Sequence, residues 1–324
     1  MSRFLLLLVS MLLCGCINLD GTWFNPVPID AYDPLPFNEV PDSHLEWVQM
    51  SSAAVDDEDT APELWGVWLH QCLDPDDAAS CAPHDEHPEF SSPRTARTIL
   101  YFHGNGGSLL NYWDRVQILW RMGYRVFAVD YRGYGRSTGT PSELGVYADA
   151  RAALDHVKRR LSEEIPALDP DDPPPAAVLR IGYYGWSLGS TAAIDLATQD
   201  PPSALVTEAA LASAQGFVDD ALGVGISRTV FLGTEFDNVG KVPFILAPKL
   251  FAHGTEDDFV KFEFSEVLFE AAQEPKLLLP VPGADHGSVP CPTRDSSVPS
   301  DEAPCVATES YLGAIGSFYD DWLL

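Results

Sequence analysis

The chain has 324 residues, 46% of them hydrophobic and 11% aromatic, and carries 19 basic against 48 acidic residues for a formal net charge of -29. That size and composition suit one large α/β domain or two small ones and exclude a disordered chain. The charge excludes a nucleic-acid partner, because a strongly acidic surface repels phosphate backbones and anionic headgroups alike.

At the N-terminus, one Arg precedes an apolar run from Phe4 to Leu13. The run is too short to span a bilayer and suits the apolar core of a signal peptide. It ends in "LCGC", Leu13–Cys16, which resembles the lipobox of bacterial lipoproteins. The resemblance implies a signal peptide over residues 1–15 and a lipidated Cys16. It also implies a membrane partner through that anchor and a place in the bacterial cell envelope. Ile17, where an inner-membrane retention signal would have Asp, favours the outer membrane. Residues 16–43 are rich in Pro and Asp and are expected to form an extended tether to a domain covering residues 44–324.

Four further cysteines, Cys72, Cys81, Cys291 and Cys305, follow the export signal. An even number in an oxidising compartment points to disulfides. Three connectivities are open; Cys72–Cys81 and Cys291–Cys305 each close a short loop. A zinc site using Cys81, His84 and His87 is the rival, but it lacks the C-x-x-C spacing of structural zinc.

Strands are expected near His44–Met50 and Glu63–His70, with a polar loop from Cys72 to Arg97. Strands and helices then alternate. "RTILYF" is a strand, "LLNYWDRVQILWRMG" a helix, "YRVFAVD" a strand and "SELGVYADARAALDHVKRRL" a helix. "VLRIGYYGWS" is a strand and "LGSTAAIDLAT" a helix. "ALVTEAA" and "PKLFAHG" are strands, "FVKFEFSEVLFEAAQ" a helix, "KLLLPVPG" a strand and "ESYLGAIGSFYDDWL" a closing helix. Such alternation predicts βαβ units and a mostly parallel sheet flanked by helices.

In that order Ser187, within "GWSLGS", falls between a strand and a helix, the setting of a nucleophile elbow. A serine hydroxyl needs a base, and the base needs an orienting acid. In this architecture the order is Ser, acid, His. His253 and His286 follow Ser187 in the chain. His253 precedes the acidic candidates Glu256, Asp257 and Asp258, so the order makes His286 the base. Glu208, at the end of the sixth strand, is the other candidate acid.

Five motifs in sequence resemble the α/β-hydrolase family, in its small-lid, esterase- and depalmitoylase-like branch. They are "YFHGNGGS", "VDYRGYGRSTGTPSELGVYADARAALDHV", "GWSLGS", "HGTEDDFV" and "ADHG". The resemblance implies Ser187 as nucleophile, Asp257 as acid and His286 as base. It implies oxyanion donors in the backbone N–H groups of Leu188 and Asn105. His103 and His253 are expected to pack turns, and Asp130 and Arg132 to hold the turn after the fourth strand. Residues 211–247 are expected to form a minimal lid over an open site. The expected chemistry is hydrolysis of carboxylic esters or thioesters of a small-molecule or acylated substrate, without metal or organic cofactor. A peptidase on the same residues and a non-catalytic envelope-binding lipoprotein are the alternatives. The sequence leaves the oligomeric state open.

Overall fold

A computed structural model describes residues 17–18, 23–55, 60–72, 97–164, 168–223, 231–232, 234–290 and 308–323. Eight strands form the central sheet: β1 (Leu45–Ser51), β2 (Glu63–Leu69), β3 (Thr98–Phe102), β4 (Arg125–Val129), β5 (Ile181–Trp186), β6 (Ala204–Glu208), β7 (Lys249–Gly254) and β8 (Lys276–Val281). Their order across the sheet is β8-β7-β6-β5-β3-β4-β2-β1. β3 to β8 pair in parallel, whereas β2 runs antiparallel to both β1 and β4. The helices are α1 (Trp113–Arg121), α2 (Glu143–Glu164), α3 (Leu188–Gln199), α4 (Ala214–Leu222), α5 (Asn238–Lys241), α6 (Glu263–Ala271) and α7 (Glu309–Trp322).

The central strands are continuous apolar runs because both faces of the sheet are covered. All five residues of β3 are buried. Leu100 and Phe102 join a core cluster with Val146 and Leu154 of α2 and Ala192 of α3. Ile99 and Tyr101 face the other way, toward Trp113 and Val116 of α1 and Ile315 and Tyr319 of α7. The period-two alternation of a strand thus divides one segment between two cores.

The chain departs from the expected tether. From Trp23 onward the Pro- and Asp-rich segment lies along the domain. Phe24, Tyr32 and Val40 are buried, and Tyr32 stacks on Trp47 with ring centroids 4.0 Å apart. Composition read as a spacer, but a few large apolar side chains with ready partners were enough to dock it. The packed unit therefore starts by Trp23 and includes residues that precede 44.

In the expected lid, residues 234–247 pack down on the domain. Phe236, Val242 and Ile245 are buried, and Asn238 Nδ2 donates to Thr191 Oγ1 of α3 at 3.1 Å and to the Leu211 carbonyl at 2.8 Å. The described residues form no separate cap. Cys72 is disulfide-bonded. Cys16, Cys81, Cys291 and Cys305 lie outside the described residues, as do His84 and His87.

The turn after β4 is pinned by charge. Arg132 and Asp149 are both fully buried, with Arg132 Nη2 2.8 Å from Asp149 Oδ1 and the Arg132 N–H donating to Asp149 Oδ2 at 2.7 Å. Arg132 Nη2 also donates to the Ala53 carbonyl at 2.9 Å. Removing one partner of a buried pair strands the other charge, at a cost of about 3–5 kcal/mol. Asp149→Ala is expected to lose stability on that scale, read from the urea midpoint. A midpoint like that of the unsubstituted protein would contradict it.

Candidate active site

β5 ends at Trp186, and α3 starts at Leu188, so Ser187 alone makes the turn between them. Its backbone lies at φ 53° and ψ -115°, in the left-handed half of the map that a non-glycine residue adopts only under constraint. Two neighbours explain how the turn closes. A Cβ on Gly185 would sit 2.3 Å from the Gly189 carbonyl oxygen, and one on Gly189 would sit 2.0 Å from the Phe102 carbonyl oxygen. Only glycine allows the helix to come this close to the strands. The Ser187 N–H is fixed by the Glu208 carbonyl at 2.8 Å.

The loops after β7 and β8 bring up the other two residues. His286 Nε2 lies 3.0 Å from Ser187 Oγ, and His286 Nδ1 lies 2.8 Å from Asp257 Oδ2. An ionised carboxylate only accepts, so Nδ1 carries the proton and Nε2 is left to accept from the serine hydroxyl. Asp257 is firmly seated: its Oδ1 accepts from the Phe259 N–H at 3.0 Å and the Val260 N–H at 2.8 Å. Its Oδ2 also lies 3.2 Å from His253 Nε2. Burial alone would raise the Asp257 carboxyl; hydrogen bonds from His253 and His286 outweigh it and hold the group well below the usual carboxylate range.

His253 is wholly buried between Ser265 Oγ at 2.6 Å and the Val260 carbonyl at 2.7 Å. It orients the acid and does not approach Ser187. His103, also buried, has its Nδ1 2.7 Å from the Gly104 carbonyl. Glu208, the rival acid, turns its carboxylate away from the serine into a buried network. Arg115 Nη1, Tyr184 Oη and Tyr311 Oη all donate to it, the last at 2.9 Å.

Leu188 is the first residue of α3, so its N–H lacks an intrahelical acceptor. Among the described residues no backbone carbonyl accepts from Asn105 N–H. Both lie at the same end of the sheet as Ser187. That end also carries the positive pole of α3, so a developing anion is favoured there.

Three further residues shape the site around the serine and the histidine. Phe259, mostly exposed, meets the His286 ring edge-on at 5.0 Å, and Trp186 lies 5.4 Å from it. Arg115 places its guanidinium 4.1 Å over the Trp186 ring and donates from Nη2 to the Gly287 carbonyl at 2.5 Å. It therefore ties the residue before Ser187 to the residue after His286. The sequence held one clue: Arg115 shares a helix face with Ile118, Leu119 and Met122, a single charge among apolar residues. Among the described residues no group of three His, Cys, Asp or Glu side chains is placed to hold a metal.

The depressed Asp257 carboxyl has a consequence for stability. A carboxylate whose folded pKa lies below the unfolded value, about 3.9, stabilises the fold above that pH and loses the contribution as pH falls toward its folded value. The stability gap between the unsubstituted protein and Asp257→Asn should hold steady above about pH 5 and shrink below about pH 4. Urea titrations across that range read it; a gap that widens with acid would contradict the arrangement.

A family model described as serine aminopeptidase, S33 matches residues 93–230. Alpha/beta hydrolase domain-containing protein 17B of Homo sapiens is 30% identical over 203 residues, 61% of this chain and 63% of that protein. An uncharacterized protein of Mycobacterium tuberculosis is 35% identical over 188 residues, 58% of this chain and 62% of that one. The chain thus covers less than two thirds of the length of these relatives. Among solved structures, a Pyrococcus furiosus esterase superposes with a TM-score of 0.57 at 18% identity, covering 93% of this chain and 98% of that one. The esterase domain of a Rhodothermus marinus protein superposes at 0.51 with 19% identity, covering 86% and 100%. The chain has the α/β-hydrolase fold, a mostly parallel sheet flanked by helices.

Proposed function

We propose that the protein is a serine hydrolase that cleaves carboxylic esters or thioesters through Ser187, His286 and Asp257. The observation that carries this reading is the unbroken relay of two hydrogen bonds, at 3.0 and 2.8 Å, beneath a strained strand-to-helix turn. Ser187 Oγ attacks the carbonyl carbon as its proton passes to His286 Nε2. The oxyanion is met by the N–H groups of Leu188 and Asn105. His286 returns the proton to the departing oxygen or sulfur, leaving an acyl-enzyme. A water, deprotonated by the same nitrogen, then attacks the acyl carbon, and the nitrogen passes that proton to Ser187 Oγ as the acyl–oxygen bond breaks and the acid leaves. Asp257 keeps the imidazole in the productive tautomer and balances its transient charge.

A peptidase reading is favoured by one observation, the description of the matching family model. Both uses share the acyl-enzyme and differ in the leaving group. A panel of ester, thioester and aminopeptide substrates separates them. Ser187→Ala is expected to abolish turnover and fluorophosphonate labelling without changing the melting temperature. His286→Ala and Asp257→Asn should each lose most activity, with effects that do not add, because the three residues act as a unit. Labelling that persists in Ser187→Ala would overturn the assignment.

The reading extends to location. The "LCGC" segment supports export and lipid attachment at Cys16 in a bacterial envelope. Among the described residues no helix is long and apolar enough to cross a membrane. One acyl chain holds a protein weakly and several hold it firmly. Cys16→Ser is therefore expected to move the protein from the membrane to the soluble fraction. Mass spectrometry that finds an unmodified N-terminus at another residue would contradict lipidation.

A further inference from the structure

The loop from His103 to Gly107 has little of its own to hold it in shape. Tyr112 Oη secures one point: it accepts from the Gly106 N–H at 2.9 Å and donates back to the Gly106 carbonyl at 2.5 Å. Tyr131 Oη secures another by donating to the His103 carbonyl at 2.9 Å, and His103 Nε2 lies 3.2 Å from Asp130 Oδ1; further ties come from the N-terminal segment. Asn25 and Pro26 pair in parallel with Gly106 and Gly107, and the Val27 N–H donates to the Gly107 carbonyl at 2.9 Å. The Asn25 N–H donates to Asn105 Oδ1 at 2.9 Å, and Tyr134 Oη donates to the same oxygen at 3.1 Å. The segment then reaches the turn after β4. Gly135 donates its N–H to the Val27 carbonyl at 3.3 Å, and Ile29 donates to the Gly135 carbonyl at 2.9 Å. Residues 25–29 thus form a strap wedged between two loops at the catalytic end of the sheet.

Both ends of the strap are fastened. Upstream, the Trp23 ring lies 5.8 Å from Phe217 and 5.8 Å from Phe236, and buried Phe24 lies 6.1 Å from Phe236. Downstream, Tyr32 Oη donates to Asp130 Oδ2 at 2.6 Å, and the Leu109 N–H donates to Asp130 Oδ1 at 2.8 Å. A strap fixed at both ends transmits its position to whatever it grips between them, and what it grips is the Asn105 side chain and the two glycines that follow.

We propose that the strap is a positioning element of the active site, in which the Asn25 N–H, by holding Asn105 Oδ1, fixes the direction of the Asn105 backbone N–H toward the oxyanion. This rests on the serine-hydrolase reading above. Oxyanion donors act by being oriented before charge develops, and a misplacement of about 1 Å at a reacting centre can cost on the order of a hundredfold in rate. The strap therefore governs kcat far more than KM. It also gives the N-terminal segment, which reads as a passive spacer, a positioning role at a distance from the reacting atoms.

One atom tests it. Asn25→Pro deletes the N–H and keeps the chain, whereas Asn25→Ala keeps the N–H and deletes the side chain. Ester turnover should fall about tenfold or more in Asn25→Pro, in kcat with KM nearly unchanged, consistent with a displaced oxyanion donor. Asn25→Ala should stay within about twofold of the unsubstituted protein, because the bond in question is made by the backbone. Asn105→Ala, which removes the acceptor instead, should reproduce the kcat loss, and it serves as the second test if Asn25→Pro does not fold. Melting temperatures close to that of the unsubstituted protein, alongside a fall in kcat, support positioning. Asn25→Pro and Asn105→Ala as active as Asn25→Ala would overturn the strap's role and leave the serine-hydrolase reading standing. An unsubstituted protein that neither turns over an ester nor takes a fluorophosphonate would overturn that reading, and the strap's role with it.

Discussion

Everything at the site depends on one close approach, that of α3 to the ends of β3 and β5. Gly185 and Gly189 leave no room for a Cβ, and in return Ser187 is forced to φ 53°. A residue held there costs on the order of 1–3 kcal/mol and persists only where the surroundings overdetermine it. Here they do: the Glu208 carbonyl holds the Ser187 N–H, and the Ser190 hydroxyl donates to the Gly185 carbonyl at 2.7 Å. The strain lifts one hydroxyl clear of the sheet and points the free N–H groups of α3 at the space beside it. Each other part of the site is placed with reference to that hydroxyl.

The parallel sheet supplies the rest by topology. β3, β5, β7 and β8 all end on the same side, so the loops carrying Asn105, Ser187, Asp257 and His286 converge there although they are distant in sequence. Two buried charge networks keep those loops in register. Arg115 and Glu208 link α1 and β6 to the carbonyl beside His286, and Tyr184 and Tyr311 bring α7 into the same network. Asp130, held by Tyr32 and Leu109, links the strap to α1's approach and the turn after β4. Burying charges and strands in this way trades stability for fixed geometry, as an active site requires.

Much of this is legible in the sequence, for physical reasons that can be named. The central strands are read easily because burial on both faces leaves only apolar residues, as in "TILYF". The elbow is read from glycines that sterics make obligatory. The order of serine, acid and histidine is read from chain topology, and Asp257 is separated from its acidic neighbours only by the resemblance of "HGTEDDFV" to the family's acid motif. What escapes is whatever depends on a partner distant in the chain. Residues 23–43 look like a tether because Pro and Asp dominate the composition, yet the few aromatic residues decide where the segment lies. Arg115 looks like one charge on a helix, and its meaning appears only when Glu208, Trp186 and Gly287 surround it. Glu208 looks like a possible acid at a strand end; only its buried partners reveal that it is already engaged.

The central claim is that Ser187 carries an acyl group during turnover. Quenching the protein with acid during steady-state hydrolysis of a slow ester, followed by peptide mapping by mass spectrometry, measures this directly. The account predicts one added acyl mass, on the peptide containing Ser187, present during turnover and gone once the ester is exhausted. An acyl group on a different residue, or continuing turnover with Ser187 never modified, would contradict it.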